Sequence, residues 1–117
     1  MGEEGRRVKM NEEKYMNDFN IISMAGMSKS QSILAVKEAK AGNMEKAKEY
    51  LQKAEEMMSE VHALHLEMLQ QECSGNSVDV TIVTVHAQDH VTMALMMHEM
   101  ASEMIELYER VEKLEKR

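Results

Sequence analysis

His86, Asp89 and His90 are the residues of this 117-residue chain whose types and spacing best fit a chemical function. They stand at positions i, i+3 and i+4, so a helix would display all three side chains on one face. An imidazole can act as a nucleophile when one ring nitrogen is free and a neighbouring group holds the other, and a second histidine can orient it or contact a bound phosphoryl group. A His-x3-His pair on a helix is also a common pair of metal ligands.

Residue types alone leave three interpretations of this cluster open. The first is structural, with histidines satisfied at a surface or an interface. The second is a metal site in a non-catalytic helical oligomer, with His86, Asp89 and His90 as ligands. The third is a nucleophilic histidine. Asp89 adds an observation, because it falls in line with Ile82 and Met96, and a carboxylate on an apolar row is costly unless it is paired, protonated or bound to a cation.

Composition favours one ordered domain in the cytoplasm. A chain of 117 residues without proline suits a single core built from long helices. The net charge of −7 argues against nucleic acid as a partner. We expect no membrane insertion, since no apolar run approaches the roughly 18 to 20 residues of a membrane span. The single cysteine excludes a disulfide within the chain, and no glycine-rich loop indicates a nucleotide. With 14 methionines, the core is expected to be filled by thioethers and aliphatic side chains.

Two helices joined by a very short turn are predicted before the motif. Residues 1–10 are predicted to be a flexible lead-in, with a single domain over residues 11–117. Asn11 is predicted to cap the first helix, Gly42 to end it, and Asn43 to cap the second, so that the two helices pack antiparallel. Helical spacing predicts apolar faces at Tyr15, Phe19, Ile22, Gly26, Ile33 and Val36 in the first helix and at Ala47, Leu51, Ala54, Met58, Val61 and Met68 in the second.

The segment that leads into the motif is ambiguous. After a predicted loop over residues 73–77, residues 78–85 are rich in β-branched side chains, which favour a strand. No other segment offers a partner strand, and a lone strand cannot satisfy its backbone. The helix penalty for the run is only about 2 kcal/mol, so we predict a third helix from residue 78 onward and an all-α, antiparallel three-helix bundle. Its seven-residue repeat and its apolar residues on much of the circumference predict oligomerisation.

The run Val85-His86-Ala87-Gln88-Asp89-His90, followed by a methionine-rich helix, resembles the IIA components of the lactose and cellobiose (diacetylchitobiose) class of bacterial phosphoenolpyruvate-dependent sugar phosphotransferase systems. The resemblance covers about Phe19 to Leu114. Upstream, the family's first two helices are matched by Ile21-Ile22, Ala25-Gly26, Ala39-Lys40-Ala41-Gly42-Asn43, Ala47, Ala54 and His62.

The resemblance implies a homotrimer with the third helices around its three-fold axis. It implies that His86 accepts a phosphoryl group from the carrier HPr and donates it to a cysteine of the cognate IIB protein, during uptake and phosphorylation of a disaccharide. Asp89 corresponds to the family's axial aspartate, whose three copies gather round a divalent metal, expected to be Mg²⁺. Gln88 and His90 match the motif and are expected to support His86, whereas His62 matches without an assigned role.

The chain departs from the family's pattern at Val61, at Leu64-His65 and at Val91-Thr92-Met93. These departures leave the chemistry intact and bear on partner or sugar specificity. His65 and His98 lie outside the motif and are expected to be packed or solvated histidines.

Overall fold

Three helices make up the fold of the described part of the chain. The computed structural model describes residues 2–76 and 79–117, and the side chains of these residues except 6–11 and 14. The helices are α1 (Glu3–Lys40), α2 (Met44–Cys73) and α3 (Ile82–Glu115), and the described residues contain no strand. They form a slender bundle of 73 × 22 × 20 Å in which α1 packs along both other helices. The predicted all-α fold is confirmed.

The beginning of α1 differs from the prediction. The helix begins at Glu3, with Gly2 at the N-cap position, and runs without interruption past Asn11. Asn11 therefore lies within the length of the helix, and the predicted helix start there was wrong. Glu3 and Glu4 lie in the first turn, where acidic side chains favour helix formation. Gly5 lowers the stability of this part of the helix by only about 1 kcal/mol relative to alanine. The division into a flexible lead-in over 1–10 and a domain over 11–117 remains a prediction.

The turn between α1 and α2 confirms the predicted positions of Gly42 and Asn43. Gly42 has a φ of 88°, a left-handed conformation that glycine adopts without steric cost. Asn43 occupies the N-cap position of α2, but its side-chain amide donates to Glu38 Oε2 at 2.9 Å instead of bonding the helix backbone. The resulting connection reverses the chain within three residues, so α2 runs antiparallel to α1.

Helix α3 begins later than predicted. Residues 79–81 are not helical, and Val78 and Ser77 lie outside the described residues. Thr81 has extended backbone angles and forms a capping box with Thr84, so α3 begins at Ile82. The prediction of helix from residue 78 onward was wrong for residues 79–81. β-branched residues disfavour helix, and the capping box of Thr81 and Thr84 stabilises a helix start at Ile82.

Among the described residues, the core consists mainly of alanines, together with Ile21, Val61 and Ile105, rather than of methionines. Alanines that are at most 3% exposed line the contacts between the helices, which allows the three backbones to approach closely: Ala25, Ala35, Ala39, Ala47, Ala54, Ala87, Ala94 and Ala101. The expected aliphatic side chains are therefore confirmed in the core, whereas the expectation of buried thioethers was wrong: Met24, Met44 and Met68 pack against the core but are only partly buried. The predicted face of α2 is confirmed by buried Ala47, Ala54 and Val61, whereas the row predicted for α1 is displaced by about one position. Among the described side chains of α1, the buried ones are Asp18, Ile21, Ala25, Ser28, Ser32, Ala35 and Ala39.

Candidate functional site

The first turns of α3 carry the candidate site, and contacts with α1 fix their orientation. Thr84 and Ala87 face inward, where Ala87 packs with Ile21 and Val61. Thr84 is 5% exposed, and its hydroxyl donates to Asp18 Oδ2 at 2.9 Å. With one face of this turn held against α1, residues on the other side of the helix are presented outward.

His86 is exposed on this outward side, as the sequence predicts for a reactive side chain. Its ring centroid lies 4.3 Å from that of His90, one turn further on, with the ring planes tilted by 57°. His90 Nδ1 lies 3.1 Å from the carbonyl oxygen of His86. Because a carbonyl can only accept, Nδ1 carries the proton in this contact, and Nε2 of a neutral His90 remains available as an acceptor. The structure thus brings His86 and His90 together.

Gln88 points away from His86, whereas Asp89, three positions after His86, lies within about 60° of it around the helix axis. Gln88 follows His86 by two positions, or about 200° around the helix axis, so within one protomer it faces away from His86. It is half-buried, whereas Asp89 is exposed. A contact between Gln88 and a group on His86 would therefore require a second protomer.

An open groove of about 530 Å³ lies beside His90, between α1 and α3. Its wall contains one cation, Lys29, together with hydroxyl and amide groups. Gly26 leaves one side open, since a Cβ atom there would meet nothing within 4 Å. The groove is lined by Ile22, Ser23, Gly26, Met27, Lys29, Ser30, Gln31 and His90.

Asp89 lies in the middle of an exposed apolar stripe on α3. Ile82 and Met96, seven residues away on either side, are 85% and 57% exposed. The stripe continues along the helix through Met93, Met100, Leu107 and Leu114. Exposed apolar surface of this extent marks an interaction site more often than free surface. Within one protomer, the described residues contain no group of three or more His, Cys, Asp or Glu side chains placed to hold a metal ion.

The remaining histidines lie away from this site. His62 is exposed on α2, and nothing in its surroundings gives it a role. His65 and His98 are half-buried, and one ring nitrogen of each is buried without a hydrogen-bond partner among the described residues. They are packed histidines, one of the two environments expected for them.

Two residues of the site's support were missed by sequence reasoning. Asp18 is 1% exposed and stands on the same row as Ile21 and Ala25. Thr84 was hidden in the β-branched run before the motif. The spacing of Asp18, Ile21, Ala25, Ser28 and Ser32 in alternate steps of three and four is the sequence signal that could have identified the inner row.

Comparison with known proteins identifies the family. Residues 16–109 match the model of the family described as PTS system, Lactose/Cellobiose specific IIA subunit. The chain therefore belongs to the lactose/cellobiose-specific IIA subunits of the sugar phosphotransferase system. It is 40% identical over 102 residues to the lichenan-specific phosphotransferase enzyme IIA component of Bacillus subtilis, an alignment that covers 87% of this chain and 93% of the relative.

Solved structures agree with this assignment. The PTS cellobiose-specific enzyme IIA from Bacillus anthracis superposes with a TM-score of 0.82 at 34% identity, covering 84% of this chain and 90% of that one. A IIA(Chitobiose) chain, solved in complex with HPr from the N,N'-diacetylchitobiose branch of the Escherichia coli phosphotransferase system, gives a TM-score of 0.74 at 25% identity. That match covers 85% of this chain and 96% of the other.

Within the described residues, no helix is both long and apolar enough to cross a membrane.

Proposed function

We propose that this chain is a phosphohistidine carrier. In this role His86 accepts a phosphoryl group from phospho-HPr and passes it to a cysteine of the cognate IIB protein in the cytoplasm. The observation that carries the proposal is the exposed His86 ring on the anchored first turns of α3, in a member of the lactose/cellobiose IIA family. A relative in this family was solved together with HPr, which supports HPr as the donor.

The chemistry requires little of the protein beyond presentation. A ring nitrogen of His86 attacks the phosphorus of phospho-HPr, and its bond to phosphorus forms as the bond from phosphorus to the donor imidazole breaks. In the second step the thiolate of IIB attacks the same phosphorus, the N–P bond breaks, and His86 leaves as a neutral imidazole. Both transfers need an exposed nitrogen on a rigid platform so that donor and acceptor align with phosphorus.

His90 is proposed as the supporting residue within the protomer. Its ring lies beside that of His86, and the contact of Nδ1 with the His86 carbonyl fixes its orientation. The centroid of the His90 ring lies 4.3 Å from that of the ring proposed to carry the phosphoryl group. Gln88 is proposed to act on the site of a neighbouring protomer, because it faces away from His86 of its own chain.

We further propose that the stripe around Asp89 is covered in a homotrimer. Association of three α3 helices would bury Ile82, Met93 and Met96 and bring three Asp89 carboxylates together. Like charges at such an axis repel, and a divalent cation removes that repulsion. Carboxylate oxygens are hard ligands that fit Mg²⁺, and Asp89 of each protomer would hold it. The cation would supply charge neutralisation and hold the assembly together.

The transported sugar is proposed to be a disaccharide of the cellobiose, chitobiose or lactose type. The family model names lactose and cellobiose, and the relatives carry the names lichenan, cellobiose and chitobiose. These names refer to different saccharides, so the proposal is made for a class of sugar.

The test is phosphoryl transfer in a reconstituted system. The protein is incubated with enzyme I, HPr and radiolabelled phosphoenolpyruvate, beside His86→Ala and the matched control His62→Ala, which replaces an exposed histidine outside the motif. Wild type and His62→Ala are expected to take up label, and His86→Ala none. Equal labelling of folded His86→Ala would overturn the assignment. Tight uptake of transition metal without labelling would favour the non-catalytic metal-binding oligomer.

A further inference from the structure

Asp18 is a buried carboxylate that the proposed chemistry does not use. It lies on α1, is 1% exposed, and accepts a hydrogen bond from the Thr84 hydroxyl at 2.9 Å through Oδ2. Its other oxygen, Oδ1, is buried without a hydrogen-bond partner among the described residues. A half-satisfied carboxylate is a poor way to stabilise a core, because desolvation of the charge is only partly compensated. This residue therefore calls for an explanation other than stability.

The hydrogen bonds around Thr84 have a defined direction. Each threonine hydroxyl has one proton, and that of Thr84 is donated to Asp18. In the 3.2 Å contact between the hydroxyls of Thr81 and Thr84, Thr81 must therefore be the donor. Thr84 Oγ1 also accepts from the backbone N–H of Thr81 at 3.4 Å, and Thr81 Oγ1 accepts from the N–H of Thr84 at 3.3 Å. The capping box of α3 is thus tied to α1 through one acceptor, Asp18.

The position of this tie relative to His86 gives it a consequence for the site. Thr84 precedes His86 by two residues, about 200° around the helix, so an inward-held Thr84 turns His86 outward. A carboxylate beside the first turn of α3 also complements the partial positive charge of a helix N-terminus. The tie joins α1 to α3 directly, whereas the buried bond from Ser28 Oγ to the Ala54 carbonyl at 2.9 Å joins α1 to α2.

The geometry points to Asp18 as a positioning residue for phosphoryl transfer, which acts through Thr84 to hold the first turn of α3 in the rotation that presents His86 to its partner proteins. The inference rests on the proposed function of His86. Asp18 does not touch the phosphoryl group. Its contribution is the fixed direction of the nitrogen that does, and misplacement of a reacting atom by about 1 Å can slow a reaction by about a hundredfold.

The experiment compares Asp18→Leu with Ser28→Ala. Both variants remove a buried hydrogen bond of α1, but only the first bond reaches α3. Transfer from phospho-HPr is measured over a range of HPr concentrations, and amide hydrogen exchange is measured at residues 84–86. Asp18→Leu is expected to lower the maximal transfer rate about tenfold with little change in KM, and to raise amide exchange there about tenfold. Ser28→Ala is expected to stay within about twofold of wild type in both measurements.

Conservative variants separate positioning from general packing. Asp18→Asn keeps an acceptor for Thr84 and is expected to recover most of the rate, and Thr84→Ser keeps the donor with the same expectation. Should Asp18→Leu fail to fold, Thr84→Val removes the same bond from the other side and carries its expectation. The inference would be overturned if Asp18→Leu, or Thr84→Val in its place, had the same transfer rate and the same amide exchange as Ser28→Ala. Absence of labelling in wild type would refute the function of His86, while amide exchange would still decide whether Asp18 holds α3.

Discussion

Replacement of Thr84 by valine tests how α3 is fastened to the bundle. Valine has nearly the same shape as threonine, so the substitution removes the hydroxyl without opening a cavity. The N-cap bond from the Thr84 N–H to Thr81 Oγ1 remains, because it uses the backbone. The lost interactions are the 2.9 Å bond to Asp18, the 3.2 Å contact from the Thr81 hydroxyl and the long contact from the Thr81 N–H at 3.4 Å. Asp18 is then left buried with neither oxygen bonded to a described residue.

The size of the effect follows from this stranded carboxylate. Removal of one partner of a buried hydrogen bond costs about 1 to 3 kcal/mol, with charged acceptors at the upper end. The two weaker contacts with Thr81 add a few tenths of a kcal/mol at most. We therefore expect Thr84→Val to lower the free energy of unfolding by about 2 to 3 kcal/mol. Combining it with Asp18→Leu removes both partners, and such a pairwise replacement by apolar groups is close to neutral.

The assay is urea denaturation followed by circular dichroism at one fixed protomer concentration, since assembly would otherwise shift the transition. The double variant is expected to be more stable than Thr84→Val alone, with a coupling of about 2 kcal/mol in the double-mutant cycle. Its phosphoryl transfer is expected to stay slow, because stability returns without the tie that orients His86. Destabilisation of the double variant equal to the sum of the two single effects would refute the coupling between Asp18 and Thr84.

Three further predictions concern other parts of the bundle. Met96→Glu places one charge from each protomer in the interface of the proposed trimer and is expected to yield monomer in analytical ultracentrifugation. A trimeric Met96→Glu variant would contradict the proposed interface. Asp89→Asn lacks the repelling charges and is expected to remain assembled in a chelator that dissociates the wild-type protein. Ala94→Leu overfills a fully buried position and is expected to cost about 1 to 3 kcal/mol in thermal unfolding, a reasoning that an unchanged Tm would contradict. The hydrogen bond and charge of Lys48, 2.6 Å away, lower the pKa of Glu109, while Glu109 raises the pKa of Lys48. The small contribution of this ion pair to the free energy of unfolding should be present near neutral pH and lost as acid protonates Glu109 or base deprotonates Lys48. A difference in unfolding free energy between wild type and Lys48→Met that persists in acid would contradict this prediction.

The turn between α1 and α2 could be predicted from sequence because the two helix ends that meet there carry strong local signals, whereas the predicted starts of α1 and α3 were wrong. Gly42 adopts the positive φ that ends α1, and Asn43 follows at the N-cap position of α2. The i, i+3, i+4 spacing of the motif correctly placed His86 and His90 next to each other. These features depend on neighbouring residues alone, which a sequence displays directly.

The inner row of α1 could not be predicted from apolar spacing. Large side chains such as Phe19 attract the assignment of a buried face, yet Phe19 is exposed while Ser28 and Ser32 are fully buried. Close packing of three helices selects small residues at the contacts, and a buried hydroxyl is tolerated where it finds an acceptor, as Ser28 does at the Ala54 carbonyl. The environment of Asp18 could not be predicted either, because its partner Thr84 is distant in sequence and the contact depends on how α1 packs against α3.

The central claim is that His86 carries the phosphoryl group, and phosphorus NMR of the protein after incubation with phospho-HPr tests it most directly. We predict a phosphohistidine resonance in wild type that disappears when IIB is added and a phosphocysteine resonance that replaces it. The resonance should be absent from folded His86→Ala and present in His62→Ala. A phosphohistidine signal that persists in His86→Ala, or a wild-type protein that gains none from phospho-HPr, would contradict the claim.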